Sequence, residues 1–249
     1  MARDMARTSR IRNSTDEWRA IAQGPNLLYH ICSTPQKRET GWTEADFYAS
    51  GEADWAQFLT HWQHYEPTVG GACVEIGCGA GRLTAPLARH FRTVDSLDVS
   101  ADMIARARAA AGDNVTFHQV SGSVIPLPDS SVDAVFSVHV LQHLDDQQAI
   151  ARYLSEARRV LRPGGTVMLH IMLGRGLPLP KKALWEAKLA WSRFGLSRGK
   201  EHTAVRMVLP TAAEGMSMVR AELQDVELRA FEAVSTGGLH SFFLGRKQV

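Results

Sequence analysis

The stretch Ala72-Cys73-Val74-Glu75-Ile76-Gly77-Cys78-Gly79-Ala80-Gly81-Arg82 decides the reading of this 249-residue chain. Its first five residues are short, largely apolar and β-branched in part, which predicts a buried strand. The three glycines that follow let the backbone bend tightly and approach a ligand with no β-carbon in the way. Leu83, Leu87 and Phe91 then recur at helical spacing, so the stretch reads as strand, turn and helix. Pro86 does not break that helix, because it falls in the first turn, where N–H groups have no intrahelical partner.

The same rhythm continues toward the C-terminus. Residues 93–98, 115–120, 132–137 and 166–171 read as strands. Ser100 is placed to cap a helix carrying Met103, Ile104 and Ala107, with Gly112 as its stop. Ile150, Tyr153, Leu154, Ala157, Val160 and Leu161 mark another helix, ended by Arg162-Pro163-Gly164-Gly165. After a helical stretch at 211–222, strands at 226–234 and 240–246 are joined across Gly237-Gly238. Strands alternating with helices predict an α/β fold, Rossmann-like and doubly wound, with a mostly parallel seven-stranded sheet and an antiparallel closing hairpin.

Two regions stand outside this rhythm. Residues 1–65 read as a tail, loose to about residue 14, and a helical arm covering the cofactor site. Within the arm, Phe47, Tyr48, Trp55 and Phe58 suit either such a cover or ordinary helix packing. Residues 66–249 form the main domain, interrupted at about 172–210 by Pro178, Pro180 and an amphipathic stretch read as a lid over the substrate side.

Composition narrows the class. Apolar residues make up 45% and charged residues 22%, with no long uncharged apolar run, as in a soluble globular protein. Arg3, Arg7, Arg10 and Arg12 are not followed by the apolar core of a signal peptide. Cys32, Cys73 and Cys78 are an odd set without metal or disulfide spacing, which fits a reducing, cytoplasmic setting. A net charge of +2 gives no footprint for nucleic acid.

Asp98 adds chemistry to the glycine turn. It falls at the end of the second strand, where a carboxylate accepts both ribose hydroxyls of a nucleoside. The glycine spacing Gly77-x-Gly79-x-Gly81, with Arg82 next, departs from the dinucleotide fingerprint and disfavours NAD. Glu75 is poorly placed for a pyrophosphate but suits a ligand carrying an ammonium and a sulfonium, as S-adenosylmethionine does.

With Asp133 opening the fourth strand and the 159–165 segment Arg-Val-Leu-Arg-Pro-Gly-Gly, these residues resemble the class I S-adenosylmethionine-dependent methyltransferase family over about residues 70–172. The resemblance implies that the glycine turn holds the methionine part, Asp98 the ribose, and Val99 and Met103 the adenine, with Cys78 and Val138 in the same pocket wall. Where the family usually has an acidic residue for the adenine amine, this chain has Ser121-Gly122-Ser123, so a hydroxyl or backbone group takes that contact.

His139 and His143 follow the fourth strand, at the sheet edge where such folds bind ligands. Their spacing lacks the glutamate and third ligand of a zinc helix, so no metal is expected. His143, and second His139, are the candidates for a base that takes a proton from a substrate hydroxyl; both also suit a purely structural role. The insert carries eight Lys or Arg against Glu186 and Glu201, a net +6 interleaved with Trp185, Trp191 and Phe194. That suits a solvated helix, a lid, or contact with an anionic membrane surface.

The expected activity is methyl transfer from S-adenosylmethionine to a small-molecule acceptor, preferably a hydroxyl oxygen. The alternatives are N- or C-methylation of a quinone or lipid at a membrane surface, and a non-catalytic cofactor-binding partner subunit. A homodimer is compatible with either.

Overall fold

The computed structural model describes residues 13–65, 71–174, 207–235 and 239–249. Three helices come first: α1 (Ser14–Ala22), α2 (Leu27–Ile31) and α3 (Glu44–Trp62). The core then runs β1 (Ala72–Ile76), α4 (Thr84–His90), β2 (Thr93–Asp98), α5 (Ala101–Ala110), β3 (Val115–Gln119), β4 (Val132–Ser137), α6 (Gln147–Val160) and β5 (Leu161–His170). It closes with α7 (Ala212–Arg220), β6 (Gln224–Glu232) and β7 (Leu239–Arg246).

These strands make one seven-stranded sheet in the order β3-β2-β1-β4-β5-β7-β6. The neighbours from β3 to β5 are parallel, and β7 is antiparallel to both β5 and β6. Central β1 is buried along its whole length, as a strand covered by helices on both faces must be. The strand order reverses between β1 and β4, so the crevice at their C-terminal ends is where a ligand is expected.

Local signals explain most boundaries. Ser100 Oγ accepts the Met103 N–H at the start of α5, and Asp146 caps α6 in the same way. Thr211 and Glu214 form a reciprocal capping box on α7. The Asn13 side chain caps α1 by accepting the Asp16 N–H, and the residues before it, expected as a loose tail, lie outside the described residues.

Two boundaries differ from expectation. The segment Arg162-Pro163-Gly164-Gly165 does not separate helix from strand but forms the irregular start of β5, which begins at Leu161 paired with Val132. A left-handed Gly164 (φ +78) and the bonds that Gly164 and Gly165 make with Lys247 let the chain curve without losing its partners. Asp133 belongs to the same knot: its Oδ2 accepts from Ala72 N and from Arg162 Nη1, each at 2.7 Å. β6 begins at Gln224, not 226, because left-handed Asp225 forms a bulge before Glu227. The lid segment, with its tryptophans and basic residues, and the Gly237-Gly238 turn lie outside the described residues.

α3 packs directly on the glycine turn. Phe47, Trp55, Phe58 and Trp62 are buried, the last three in the cluster around Phe136, so these aromatics are core rather than a cover. Arg82 Nη1 pairs with Asp54 Oδ2 at 2.6 Å, both buried, while Asp54 also accepts the Ser235 N–H. At Gly51 a β-carbon would stand 2.0 Å from the Arg82 carbonyl oxygen. Gly51→Ala should therefore cost about 2 kcal/mol despite alanine's better helix propensity. Urea denaturation measures it, and an unchanged midpoint would contradict this packing.

Candidate functional site

At the switch point the glycine turn folds over the end of β2. Gly77 N and Cys78 N both donate to Leu97 O, at 2.8 and 2.9 Å. Gly77, Gly79 and Gly81 all have positive φ. At Gly77 a β-carbon would meet Val140 Cγ2 at 2.1 Å, so the loop after β4 closes on the turn.

Asp98 is held from both sides. Gly79 N donates to its Oδ2 and Ser100 N to its Oδ1, each at 2.9 Å. Each oxygen keeps a further lone pair, enough to accept a pair of vicinal hydroxyls. Burial raises its pKa, opposed by the backbone N–H groups of Ser100, Gly79 and Val99. Glu75 is deeper: its Oε2 accepts from Thr84 Oγ1 and Ser96 Oγ, each at 2.8 Å. Burial pushes its pKa up to about 7 despite those two bonds.

These groups line one cleft enclosing about 1390 Å³ out to its open mouth. Every residue anticipated for the site borders it except Gly81: Glu75, Gly77, Cys78, Gly79, Asp98, Val99, Met103, Ser121, Gly122, Ser123, Val138, His139 and His143. Gly81 instead lets the turn pack on α5, where a β-carbon would come within 2.9 Å of Ala107 Cα. The Ser121–Ser123 turn is pinned by Tyr153, whose hydroxyl donates to Gly122 O at 2.8 Å. Burial, with the Asp98 charge second, lifts the Tyr153 pKa to about 12, so this phenol stays a donor.

The two histidines are not equivalent. His143 ends a short 3-10 turn, Leu141–His143, and stands edge-on to Trp18, ring centres 5.2 Å apart. His139 is a left-handed residue (φ +61), and burial, with His170 and His240 next, holds its pKa well below the usual imidazole range. Such weak basicity suits His139 poorly for taking a proton, which leaves His143 as the base candidate.

Sequence reasoning expected a helical arm over the cofactor site within residues 1–65 but singled out no residue of α1 as its wall. Asn13, Ser14, Thr15 and Trp18 border the cleft, with Arg152 and Asp145 across the chain. Arg19 Nε donates to Val99 O at 3.0 Å, and Ser14 N to Asp145 Oδ1 at 2.9 Å. Asn13 followed by an acidic first turn could have flagged the helix, but nothing local says where it docks.

A model of the methyltransferase domain family matches residues 74–169, the span from β1 to β5. An uncharacterized methyltransferase of Mycobacterium bovis is 31% identical over 169 residues, covering 65% of this chain and 82% of that protein. The chain belongs to the S-adenosylmethionine-dependent methyltransferase family. S-adenosylmethionine is thus its cofactor. A demethylmenaquinone methyltransferase of Tropheryma whipplei is 35% identical over 104 residues, so the match spans 41% of this chain and only 42% of that relative. Among solved structures, the N-methyltransferase NodS of Bradyrhizobium japonicum, in complex with S-adenosylhomocysteine, superposes with a TM-score of 0.61 over 94% of this chain and 98% of that one, at 16% identity. That likeness concerns the fold. No described helix is long and apolar enough to cross a membrane.

Proposed function

We propose that this methyltransferase domain transfers the methyl group of S-adenosylmethionine to a hydroxyl oxygen of a small acceptor, with His143 as the base. The glycine turn and Glu75 take the methionine end, Asp98 the ribose, and Val99 with Met103 the adenine. The α1 arm forms the near wall of this site.

The observation that carries the reading is that Asp98, Glu75 and His143 border a single cleft. A nucleoside anchored on the first two leaves its sulfonium inside an enclosure that also holds an imidazole. Held there, an acceptor hydroxyl needs only orientation and loss of a proton for in-line attack on the methyl carbon.

His143→Ala is expected to lower kcat by more than tenfold, within the roughly 100–10,000-fold range of general-base removal, while S-adenosylhomocysteine affinity stays within a few-fold. Rates with labelled S-adenosylmethionine and a panel of phenols and aliphatic alcohols measure it. A loss below tenfold removes His143 as the base. The kinship to a demethylmenaquinone methyltransferase supports a second reading, transfer to a quinone ring carbon. Label appearing on a demethylated quinone, and on no alcohol, would favour that reading.

A further inference from the structure

Three histidines far apart in sequence meet at one sheet edge. His139 follows β4, His170 ends β5 and His240 lies in β7, which pairs with β5 through His170 and Phe242. Their ring centres form a near-equilateral triangle of 4.9, 4.7 and 4.9 Å. One ring nitrogen from each lies within 4.8 Å of the other two.

We propose that His139, His170 and His240 form a binding site for a divalent transition-metal ion, zinc being the natural fit, whose open position faces the cofactor cleft beside His139. Three neutral imidazoles with a fourth position left for water or substrate is the donor set of a catalytic zinc. Zinc–nitrogen bonds of about 2.0–2.1 Å put the three nitrogens roughly 3.4 Å apart, so the rings must turn inward by about 1 Å.

Two features point to a ligand rather than to plain ring packing. First, the Nε2 atoms of His139 and His170 are buried and have no hydrogen-bond partner among the described residues. Buried ring nitrogens in a finished core normally find one. Second, His139 has a positive φ of +61, a conformation uncommon outside glycine and one that clusters at functional sites.

Gln142 supplies the outer support. Its Nε2 lies 3.5 Å from His139 Nδ1 and 3.4 Å from His143 Nε2, while its Oε1 is buried without a partner among the described residues. Turning the amide over, an exchange of nearly identical shapes, lets Oε1 accept from His139 Nδ1–H. That fixes the tautomer whose Nε2 binds metal. With Nε2 as the His170 ligand, the long 3.4 Å bond from His139 N to His170 Nδ1 gives way to a proton on Nδ1. Asp54, within electrostatic reach of His240, offsets the charge of its partner Arg82.

The ion would act as a Lewis acid on the acceptor, a use that rests on the oxygen reading above although the site itself does not. An acceptor hydroxyl held beside His143 would give it its proton, which the bound ion would make easier to lose. An oxygen lone pair forms the new O–CH3 bond as the S–CH3 bond breaks, and that electron pair stays on sulfur. The products are the methyl ether and uncharged S-adenosylhomocysteine, and the proton passes from His143 to solvent.

The test uses untagged full-length protein stripped with a chelator and dialysed against Zn2+ or Co2+. Wild type should retain about one equivalent of zinc by elemental mass spectrometry, and its Co2+ form should show the intense visible bands of a four-coordinate site. His170→Gln should retain at least tenfold less. His139→Gly removes a ligand while suiting the positive φ, so it folds and should lose the metal as well. No uptake by wild type, or equal uptake by both variants, overturns the proposal. S-adenosylhomocysteine titrated into the same stripped wild type is read separately: its failure to bind would fault the cofactor cleft, not the metal site.

Discussion

Asp98→Ala is expected to weaken S-adenosylmethionine and S-adenosylhomocysteine binding about 1000-fold. Two hydrogen bonds from ribose hydroxyls to a charged acceptor contribute roughly 1.5–3 kcal/mol each, and about 4 kcal/mol corresponds to three decades of affinity. A second loss comes from the turn, because Asp98 also accepts the N–H groups of Gly79 and Ser100 and so shapes the surface the ligand meets. The fold should tolerate the change, since burial already disfavours the ionised carboxyl in the free protein. Equilibrium dialysis with labelled cofactor measures the affinity, and thermal melting of the free protein controls for folding. A loss below fivefold in a folded variant would mean that the ribose sits elsewhere.

Glu75→Gln should move stability and binding in opposite directions. Folding lifts the Glu75 pKa to about 7 from its ordinary 4.5, chiefly by burial. A carboxyl with a raised folded pKa favours folding below pH 4.5, and that contribution is lost as pH rises through 7, when the buried group must ionise. At pH 8.5 the glutamine variant should be more stable than wild type by about 1–3 kcal/mol, since a shift of this size is worth up to roughly 3 kcal/mol before the weaker bonds to Thr84 and Ser96 are counted. A ligand carrying an ammonium and a sulfonium stabilises the ionised form. Wild-type affinity should therefore rise with pH toward a plateau above 7, while Glu75→Gln binds about 100-fold more weakly at pH 8.5 with no such rise, a difference of about 2.7 kcal/mol. Calorimetry at pH 6, 7 and 8.5 with parallel denaturation separates the two effects. A variant that loses stability and keeps affinity would make Glu75 a core residue only.

What the sequence disclosed follows how local the determinants are. The glycine turn, the Ser100 cap and Asp98 are set by residues within a few positions of one another, and their reading placed the cleft. β5 was misjudged at its start because glycine and proline mark loops in general, whereas here Gly164 and Gly165 are held in the sheet by Lys247, some eighty residues away. The docking of α1 rests on the contacts of Ser14 with Asp145 and Arg19 with Val99, which no periodicity encodes. The histidine triangle was hidden for the same reason. His139 stood out beside His143 by sequence, but its partners His170 and His240 are brought to it only by the pairing of β4, β5 and β7.

The central claim is that the cleft at the β1–β4 switch point is an S-adenosylmethionine site whose ribose anchor is Asp98. Calorimetric titration of S-adenosylmethionine, S-adenosylhomocysteine and NAD into the purified wild-type protein tests it most directly. The account predicts one site per chain for the first two and no heat from NAD; binding of NAD alone, or of none of the three, would contradict it.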